Sequence, residues 1–161
     1  VAHPPCTRLC LSGARWLKVA PPGRTIEEMR EELKIGCRLI ADIWNADVPR
    51  IAIENPIMLG EAREEIQKIS DREFPYSPTQ YVQPYEFAKN IDAPDNVTKK
   101  TSLWLKNLPP LVKTGTLTEA TARKDIHFAS PGPDRWKIRS KFHVGLADAM
   151  AKQWGEVLLT E

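Results

Sequence analysis

Apolar residues recur at helical spacing in three segments of this sequence. The clearest segment places its apolar positions at steps of three and four: Ile26, Met29, Leu33, Cys37, Ile40 and Trp44. Thr25 precedes it, and Glu28 follows three positions later, which is the capping-box pattern of a helix start. Apolar residues also recur at helical spacing in two later segments, residues 60–69 and 144–159. The pattern therefore predicts helices over residues 26–44, 60–69 and 144–159.

Two other segments have the patterns of strands. Ile51-Ala52-Ile53 is a continuous apolar run between Pro49 and Pro56, which is typical of a buried parallel strand. Residues 134–142 alternate instead, with Arg135, Lys137, Arg139 and Lys141 set against Trp136, Ile138 and Phe142. This alternation predicts a strand with one basic and one mostly apolar face. Residues 99–105 suit either a short helix or a strand.

Val1-Ala2 has the character of the end of another strand, and we expect a preceding part of the chain to complete it. Strand, loop, helix and strand then form a βαβ unit, whose crossover is almost always right-handed. We therefore predict an α/β fold with a partial doubly wound, mostly parallel sheet. Open sheets of this kind bind ligands at the carboxyl ends of their strands. Cys6 and Glu54 are thus expected to face one pocket, although they lie 48 positions apart.

Composition narrows the class of protein. The chain has 161 residues, of which 42% are hydrophobic and 27% charged, values ordinary for one globular domain spanning residues 1–161. No apolar run approaches the ~20 residues of a membrane-spanning helix. Three cysteines at irregular spacing argue against a disulfide scaffold and favour reduced thiols in the cytoplasm. A net charge of +2 is too small to establish a polyanionic partner.

The histidines and cysteines do not predict a metal site. His3, Cys6 and Cys10 are close in sequence, but no second pair of ligands exists to complete a tetrahedral site. His127 and His143 are distant and lack matching partners. A nucleophilic dyad of Cys6 with His3 is disfavoured, because residues three apart on a Pro-Pro turn usually point apart.

The pairing of a thiol with a carboxylic acid favours one substrate class, the pyrimidine ring. A cysteine must ionise before it can attack. Its thiolate would add to ring carbon 6, and the carboxyl group would hydrogen-bond the ring nitrogen and stabilise the developing charge. Carbon 5 would then become nucleophilic and take up a one-carbon electrophile.

Five segments carry a family resemblance. Pro4-Pro5-Cys6 resembles the Pro-Cys motif of cytosine-5 DNA methyltransferases, and Glu54-Asn55-Pro56 resembles their Glu-Asn-Val motif. The order of segments is more similar still to short phage and prophage methylase-like proteins. The segments that match that group are 3–7 (His-Pro-Pro-Cys-Thr), 53–56 (Ile-Glu-Asn-Pro), 83–85 (Gln-Pro-Tyr), 103–106 (Leu-Trp-Leu-Lys) and 145–155. The resemblance spans roughly residues 3–155.

The resemblance implies roles for particular residues. Cys6 would be the nucleophile and Glu54 its partner at the ring nitrogen. Pro5, Asn55, Arg8 and Arg139 would contact the substrate or DNA or brace the catalytic loop. Apart from the resemblance, residues 9–17 form a flexible loop with basic and aromatic side chains, which suits either contact with nucleic-acid phosphates or a solvated surface loop with Trp16 packed inward. The target base would have to leave the duplex to reach such a pocket. The partner implied is DNA, and the setting is the cytoplasm of a bacterial or phage-infected cell.

The resemblance also implies S-adenosylmethionine as the cofactor, yet the sequence departs from the family here. No Gly-x-Gly occurs anywhere in the chain. We expect the cofactor-binding part to precede Val1, so that this sequence is the C-terminal, catalytic-loop portion of a longer domain. Two alternatives stay open: a catalytically inactive remnant that binds nucleic acid or a partner protein, and an enzyme of free pyrimidine nucleotides. An amino-group methyltransferase is disfavoured, because His3 and Cys6 replace the residues that flank its Pro-Pro turn.

Overall fold

The computed structural model describes residues 1–126, 128–130, 132 and 135–159. Helices and strands are mixed, so the predicted α/β character is confirmed at this level. The chain forms two compact units. The N-terminal unit comprises Val1–Tyr81 and Thr101–Leu108, and the C-terminal unit comprises Val82–Lys100 and Pro109–Glu161. No helix in the described part combines the length and apolar character that crossing a bilayer requires.

Helix α1 spans Ile26–Asn45 and is the centre of the N-terminal unit. Its start is the predicted capping box, in which the Thr25 hydroxyl accepts the Glu28 N–H and the Glu28 carboxylate accepts the Thr25 N–H. Its apolar face is buried as the periodicity predicts. The prediction for residues 26–44 is confirmed because both the start signal and the apolar stripe are local.

Helix α2 spans Gly60–Ile69, as predicted. It packs against α1 through buried Ala62 and Ile66. The Cys37 thiol of α1 donates to the Ala62 carbonyl at 3.6 Å, and the Arg30 guanidinium pairs with Glu61 at 2.8 Å. The two helices therefore pack against each other, and α1 also contacts the strand that lies between them in sequence.

The named strands form one sheet in the order β1-β3-β2, with β1 at Ile51–Pro56, β2 at Gln80–Val82 and β3 at Thr101–Lys106. Strand β1 pairs antiparallel with β3, in a register that sets Glu54 opposite Leu103. The ambiguous segment at 99–105 is thus mostly strand. The mostly parallel, doubly wound sheet is not found among these strands. A fully buried strand has the same apolar pattern in either orientation, so the sequence did not distinguish them.

One parallel pairing does occur, and it involves the N-terminus. Ala2 forms a parallel bridge with Ile53. The Ala2 N–H donates to the Ala52 carbonyl at 2.8 Å, and the Glu54 N–H donates to the Ala2 carbonyl at 2.9 Å. The expectation that Val1-Ala2 ends beside the strand at 51–53 is confirmed.

The C-terminal unit contains helices α3 at Arg135–Ser140 and α4 at Val144–Leu159. The prediction of α4 is confirmed. The prediction of a basic-faced strand over 134–142 is wrong: residues 135–140 are helical, and Asp134 lies outside the described residues. Residues 137–140 are all exposed, so burial of Ile138 does not enforce the alternation there, and the helix propensity of Lys137 and Arg139 favours the observed structure.

Candidate functional site

The pairing of Ala2 with Ile53 sets the geometry of the candidate site. Residues that follow a parallel bridge lie side by side on the two chains, and their side chains project from the same face. His3 and Glu54 are the residues that follow. His3 Nδ1 lies 3.1 Å from Glu54 Oε2. The residue predicted as the partner of the ring nitrogen is therefore itself paired with an imidazole.

The two members of this pair differ sharply in exposure. The side chain of Glu54 is 10% exposed, whereas that of His3 is 47% exposed. A carboxylate can only accept hydrogen bonds, so with Glu54 ionised Nδ1 of His3 is the donor. The pair thus joins a buried carboxyl group to a ring that meets solvent.

Asn55, the next residue of β1, holds the turn that carries Cys6. Its side chain is almost fully buried at 1% exposure. The Asn55 amide donates to the Pro4 carbonyl at 3.1 Å, and its oxygen accepts from the Cys10 thiol at 2.8 Å. One amide therefore connects both ends of the turn to the end of β1, which is the bracing expected of it.

The Cys6 thiol lies beside the buried Cys10 thiol. Cys6 is half-buried and packs against the edge of the apolar core, while Cys10 is within it. The hydrogen bond with Cys6 raises the pKa of Cys10 far above its ordinary value, and burial and the charges of Cys6 and Glu54 raise it further. Cys10 is therefore a neutral thiol at physiological pH. Sequence reasoning missed this role, although the spacing of four from Cys6 in one turn was a signal.

These contacts place Cys6 and Glu54 around a common neighbour. Cys10 is hydrogen-bonded to Cys6, and the charge of Glu54 acts on the same thiol. Asn55, adjacent to Glu54 in β1, accepts from that thiol. The structure thus holds the turn that carries the thiol at the end of β1, the strand that also carries the carboxyl group.

The turn that carries Cys6 packs closely against the residues that follow it. Residues 11–17 form a short 3-10 helix instead of the predicted flexible loop, and buried Gly13 lies against the Thr7 carbonyl. A Cβ at Gly13 would come 1.9 Å from that oxygen, so only glycine fits. The Leu59 N–H donates to the Leu9 carbonyl at 2.8 Å, which joins the turn to the segment after β1.

The remaining predicted residues have different surroundings. Arg8 is largely buried, at 11% side-chain exposure, and forms an ion pair with Glu32 of α1 at 2.8 Å. Pro5 is exposed on the turn. Arg139 is exposed on α3 and belongs to the C-terminal unit, not to the unit that holds Cys6 and Glu54. DNA contacts by these three residues stay predictions.

Metal-ligating side chains do not cluster in the described ranges. No group of three or more His, Cys, Asp or Glu side chains there is placed to hold a metal ion. Cys6, Cys10 and Cys37 are all free thiols. His143 pairs with Asp95 in the C-terminal unit, and His127 lies outside the described residues.

We compared this chain with known protein families, curated proteins and solved structures. No protein-family model, no curated protein and no solved structure matches this chain. The functional interpretation therefore depends on the cluster around Cys6 and on the sequence segments that resemble methylase-like proteins.

Proposed function

We propose that the N-terminal unit carries the catalytic residues of a DNA cytosine-5 methyltransferase-like protein. Cys6 is the nucleophile, and Glu54 is the partner of the ring nitrogen. The observation that supports this most is that the turn carrying Cys6 is held at the end of β1, where Glu54 lies, by the Ala2–Ile53 bridge and the two hydrogen bonds of Asn55. The two residues come from turns 48 positions apart.

The chemistry assigned to these residues is addition to the pyrimidine ring. The Cys6 thiolate forms a bond to carbon 6, and the electron pair of the 5,6 double bond moves into the ring. Glu54 delivers a proton to the adjacent ring nitrogen, which neutralises the charge that would otherwise build up there. Carbon 5 is then nucleophilic and takes up an electrophile, which is a proton from water when no methyl donor is bound. Water accepts the original proton of carbon 5, the ring nitrogen returns its proton to Glu54, and expulsion of the thiolate regenerates the enzyme.

The methyl donor in this proposal is S-adenosylmethionine, which would supply an electrophilic methyl group when bound. The two glycines near the Cys6 turn do not offer the cradle that the family uses for it. The Cβ positions of Gly13 and Gly36, near the Cys6 turn, are filled by Thr7 and Leu9. We therefore assign no residue to the cofactor and derive no step through it.

The proposal extends to fold, partner and location. The parallel pairing of Ala2 with Ile53 supports a sheet that continues as the mostly parallel, doubly wound sheet of that family. The substrate would be DNA with the target cytosine turned out of the duplex. A DNA substrate implies the cytoplasm of a bacterial or phage-infected cell.

Release of tritium from carbon 5 of cytosine tests the addition step without the methyl donor. Thiolate addition makes carbon 5 exchange its hydrogen with water, so DNA containing [5-³H]cytosine should lose label in the presence of the protein. Cys6→Ser should abolish release, and Glu54→Gln should reduce it by roughly 10²–10⁴-fold, the usual contribution of a general acid.

Cys37→Ala is the matched control, because Cys37 is a buried thiol on α1 and should leave release unchanged. A free nucleotide that loses label faster than DNA would identify an enzyme of nucleotides. Absence of release from both substrates, in the full-length protein, would defeat the proposal and favour the inactive remnant. With S-adenosylmethionine present, DNA containing 5-fluorocytosine should form a covalent complex with Cys6, because fluorine does not leave as a cation.

A further inference from the structure

The His3–Glu54 pair has a feature that the addition chemistry requires of it. Each turnover takes one proton to the ring nitrogen from a carboxyl group whose side chain is only 10% exposed. A buried carboxylate must take up a proton before each addition, and it needs a route to one. His3 Nδ1 lies 3.1 Å from Glu54 Oε2, and its side chain is 47% exposed.

An imidazole is suited to this task, because it exchanges protons with water near neutral pH. The titratable groups near the pair include the Cys10 thiol, on which the charge of Glu54 acts, and the Cys6 thiol, which is hydrogen-bonded to Cys10. Cys10 stays neutral because its hydrogen bond with Cys6 and its burial raise its pKa. Cys6 must be a thiolate to attack and so is no proton donor at that moment. His3 is the group at hydrogen-bond distance from Glu54 that also reaches solvent.

The backbone holds His3 in this position. Ala2 is hydrogen-bonded on both sides of the bridge, to Ala52 and to Glu54. Pro4 follows His3, and a residue before proline is restricted to extended conformations. The Pro4 carbonyl is in turn held by the Asn55 amide at 3.1 Å. His3 is therefore fixed from both neighbours, as expected of a residue with a defined partner.

We propose that His3 is a positioning residue that reloads Glu54 with the proton used at the pyrimidine ring nitrogen; this rests on the proposed function. The imidazolium gives its Nδ1 proton to Glu54 Oε2, leaving a neutral imidazole. The carboxyl group passes one proton to the ring nitrogen as the Cys6–carbon 6 bond forms. When the thiolate leaves, the ring nitrogen returns its proton to Glu54, and Glu54 returns it to His3 Nδ1, so that the imidazolium is restored. Between turnovers the exposed imidazole equilibrates its proton with water.

The kinetic test compares wild type with His3→Gln and His3→Ala over a range of pH, by tritium release from DNA. Glutamine retains an N–H donor for Glu54 but cannot carry a proton. Both variants should lose kcat with little change in KM, by roughly 10–100-fold near neutral pH, where an imidazole exchanges its proton with water. The loss should shrink as the pH falls, because water then protonates Glu54 directly, and at alkaline pH, because the imidazolium is no longer populated. Taking the ratio to wild type at each pH cancels the ionisation of Cys6, which all three proteins share.

Thr7→Ala is the matched control, since Thr7 is exposed in the same turn and has no part in the relay. It should retain the rate and the pH profile of wild type. A second measurement needs no activity: the ¹⁵N spectrum of the His3 imidazole should show a hydrogen-bonded Nδ1–H that moves on Glu54→Gln.

The outcomes separate this inference from the proposed function. Wild-type rate and pH profile in His3→Gln would overturn the relay alone and reduce His3 to a hydrogen-bond donor. An imidazole spectrum unchanged by Glu54→Gln would also overturn it. Absence of tritium release in wild type, with the spectroscopic pairing intact, would remove the proposed function and the relay with it.

Discussion

The described residues contain two carboxylate–imidazole pairs, one in each compact unit, with almost the same separation. His3 Nδ1 is 3.1 Å from Glu54, and His143 Nδ1 is 3.2 Å from Asp95. Their exposure separates them: the imidazole side chain is 47% exposed in the first pair and 7% in the second. We call them the open pair and the closed pair. The distance alone does not distinguish a reactive site from a structural one.

The closed pair is a helix cap. Asp95 Oδ2 accepts the Gly145 N–H at 2.7 Å in the first turn of α4, where backbone donors lack partners within the helix. His143 Nε2 is buried and has no hydrogen-bond partner among the described residues. Burial lowers the pKa of His143 despite Asp95, and the charges of Lys99 and Lys141 act in the same direction as burial. The open pair has no comparable capping task, which leaves its carboxyl group for chemistry.

The largest effect should follow from removing the carboxylate of the closed pair. Asp95→Ala takes away the α4 cap and leaves a buried imidazole unpaired. The combined cost should be about 2–3 kcal/mol. Hydrogen exchange of the α4 amides would measure it. Asp92→Ala, at an exposed position in the same segment, should change exchange little. Equal effects of the two substitutions would show that Asp95 is not a cap.

The next largest effect should arise beside the open pair. In Gly13→Ala, the added Cβ would come 1.9 Å from the Thr7 carbonyl oxygen, so the turn that carries Cys6 must move. We expect a loss of about 1–3 kcal/mol in the free energy of unfolding, typical of overpacking, together with reduced tritium release. Ser12→Ala, exposed in the same 3-10 helix, is the control. Unchanged stability and activity in Gly13→Ala would contradict the close packing of Gly13 against the Thr7 carbonyl.

The closed pair should also make stability depend on pH. The folded pKa of His143 is lowered, so below about pH 6.5 the unfolded state binds a proton that the folded state resists. The contribution of His143 is complete above that pH and is lost as the pH falls towards the folded pKa. Exchange of the α4 amides, corrected for its intrinsic pH dependence, should accelerate in that window. His143→Asn, which keeps a donor for Asp95, should remove this part of the pH dependence of stability. If the stability of His143→Asn depended on pH as steeply as that of wild type, His143 would not be its source.

The smallest effect on stability should come from the imidazole of the open pair. Because His3 is about half exposed, its pairing is screened by water, and His3→Gln should change the free energy of unfolding by less than about 0.5 kcal/mol. Urea unfolding would measure it beside Thr7→Ala. A loss near that of Asp95→Ala would make the open pair structural and erase the contrast between the two.

The comparison also explains which parts of the fold the sequence predicted. Helices α1, α2 and α4 were found because capping and apolar periodicity act within a few residues. The position of strand β1 was predicted, but the antiparallel orientation of its partner β3 was not. A fully buried strand has the same apolar pattern whether its partner is parallel or antiparallel. The strand predicted over 134–142 is wrong, and Ile138 on its apolar side is exposed, so burial there does not enforce the alternation.

The candidate site divides in the same way. Cys6, Glu54 and Asn55 could be singled out from residue types and proline-bounded turns. The pairing of His3 with Glu54 could not, because it depends on the register of Ala2 against Ile53. The place of Cys10 between Cys6 and Asn55 depends on how the turn is seated on the end of β1.

By itself, the sequence determined where the long helices begin, which strand is buried and which side chains carry reactive groups, because these follow from neighbours within a few residues. The tertiary structure decided which groups meet. Hydrogen-bond register between distant segments chooses the partner of Glu54, and packing against other segments chooses whether an imidazole faces water or lies buried. Register and packing both depend on contacts between segments that are distant in sequence, and no pattern within a few residues contains that information.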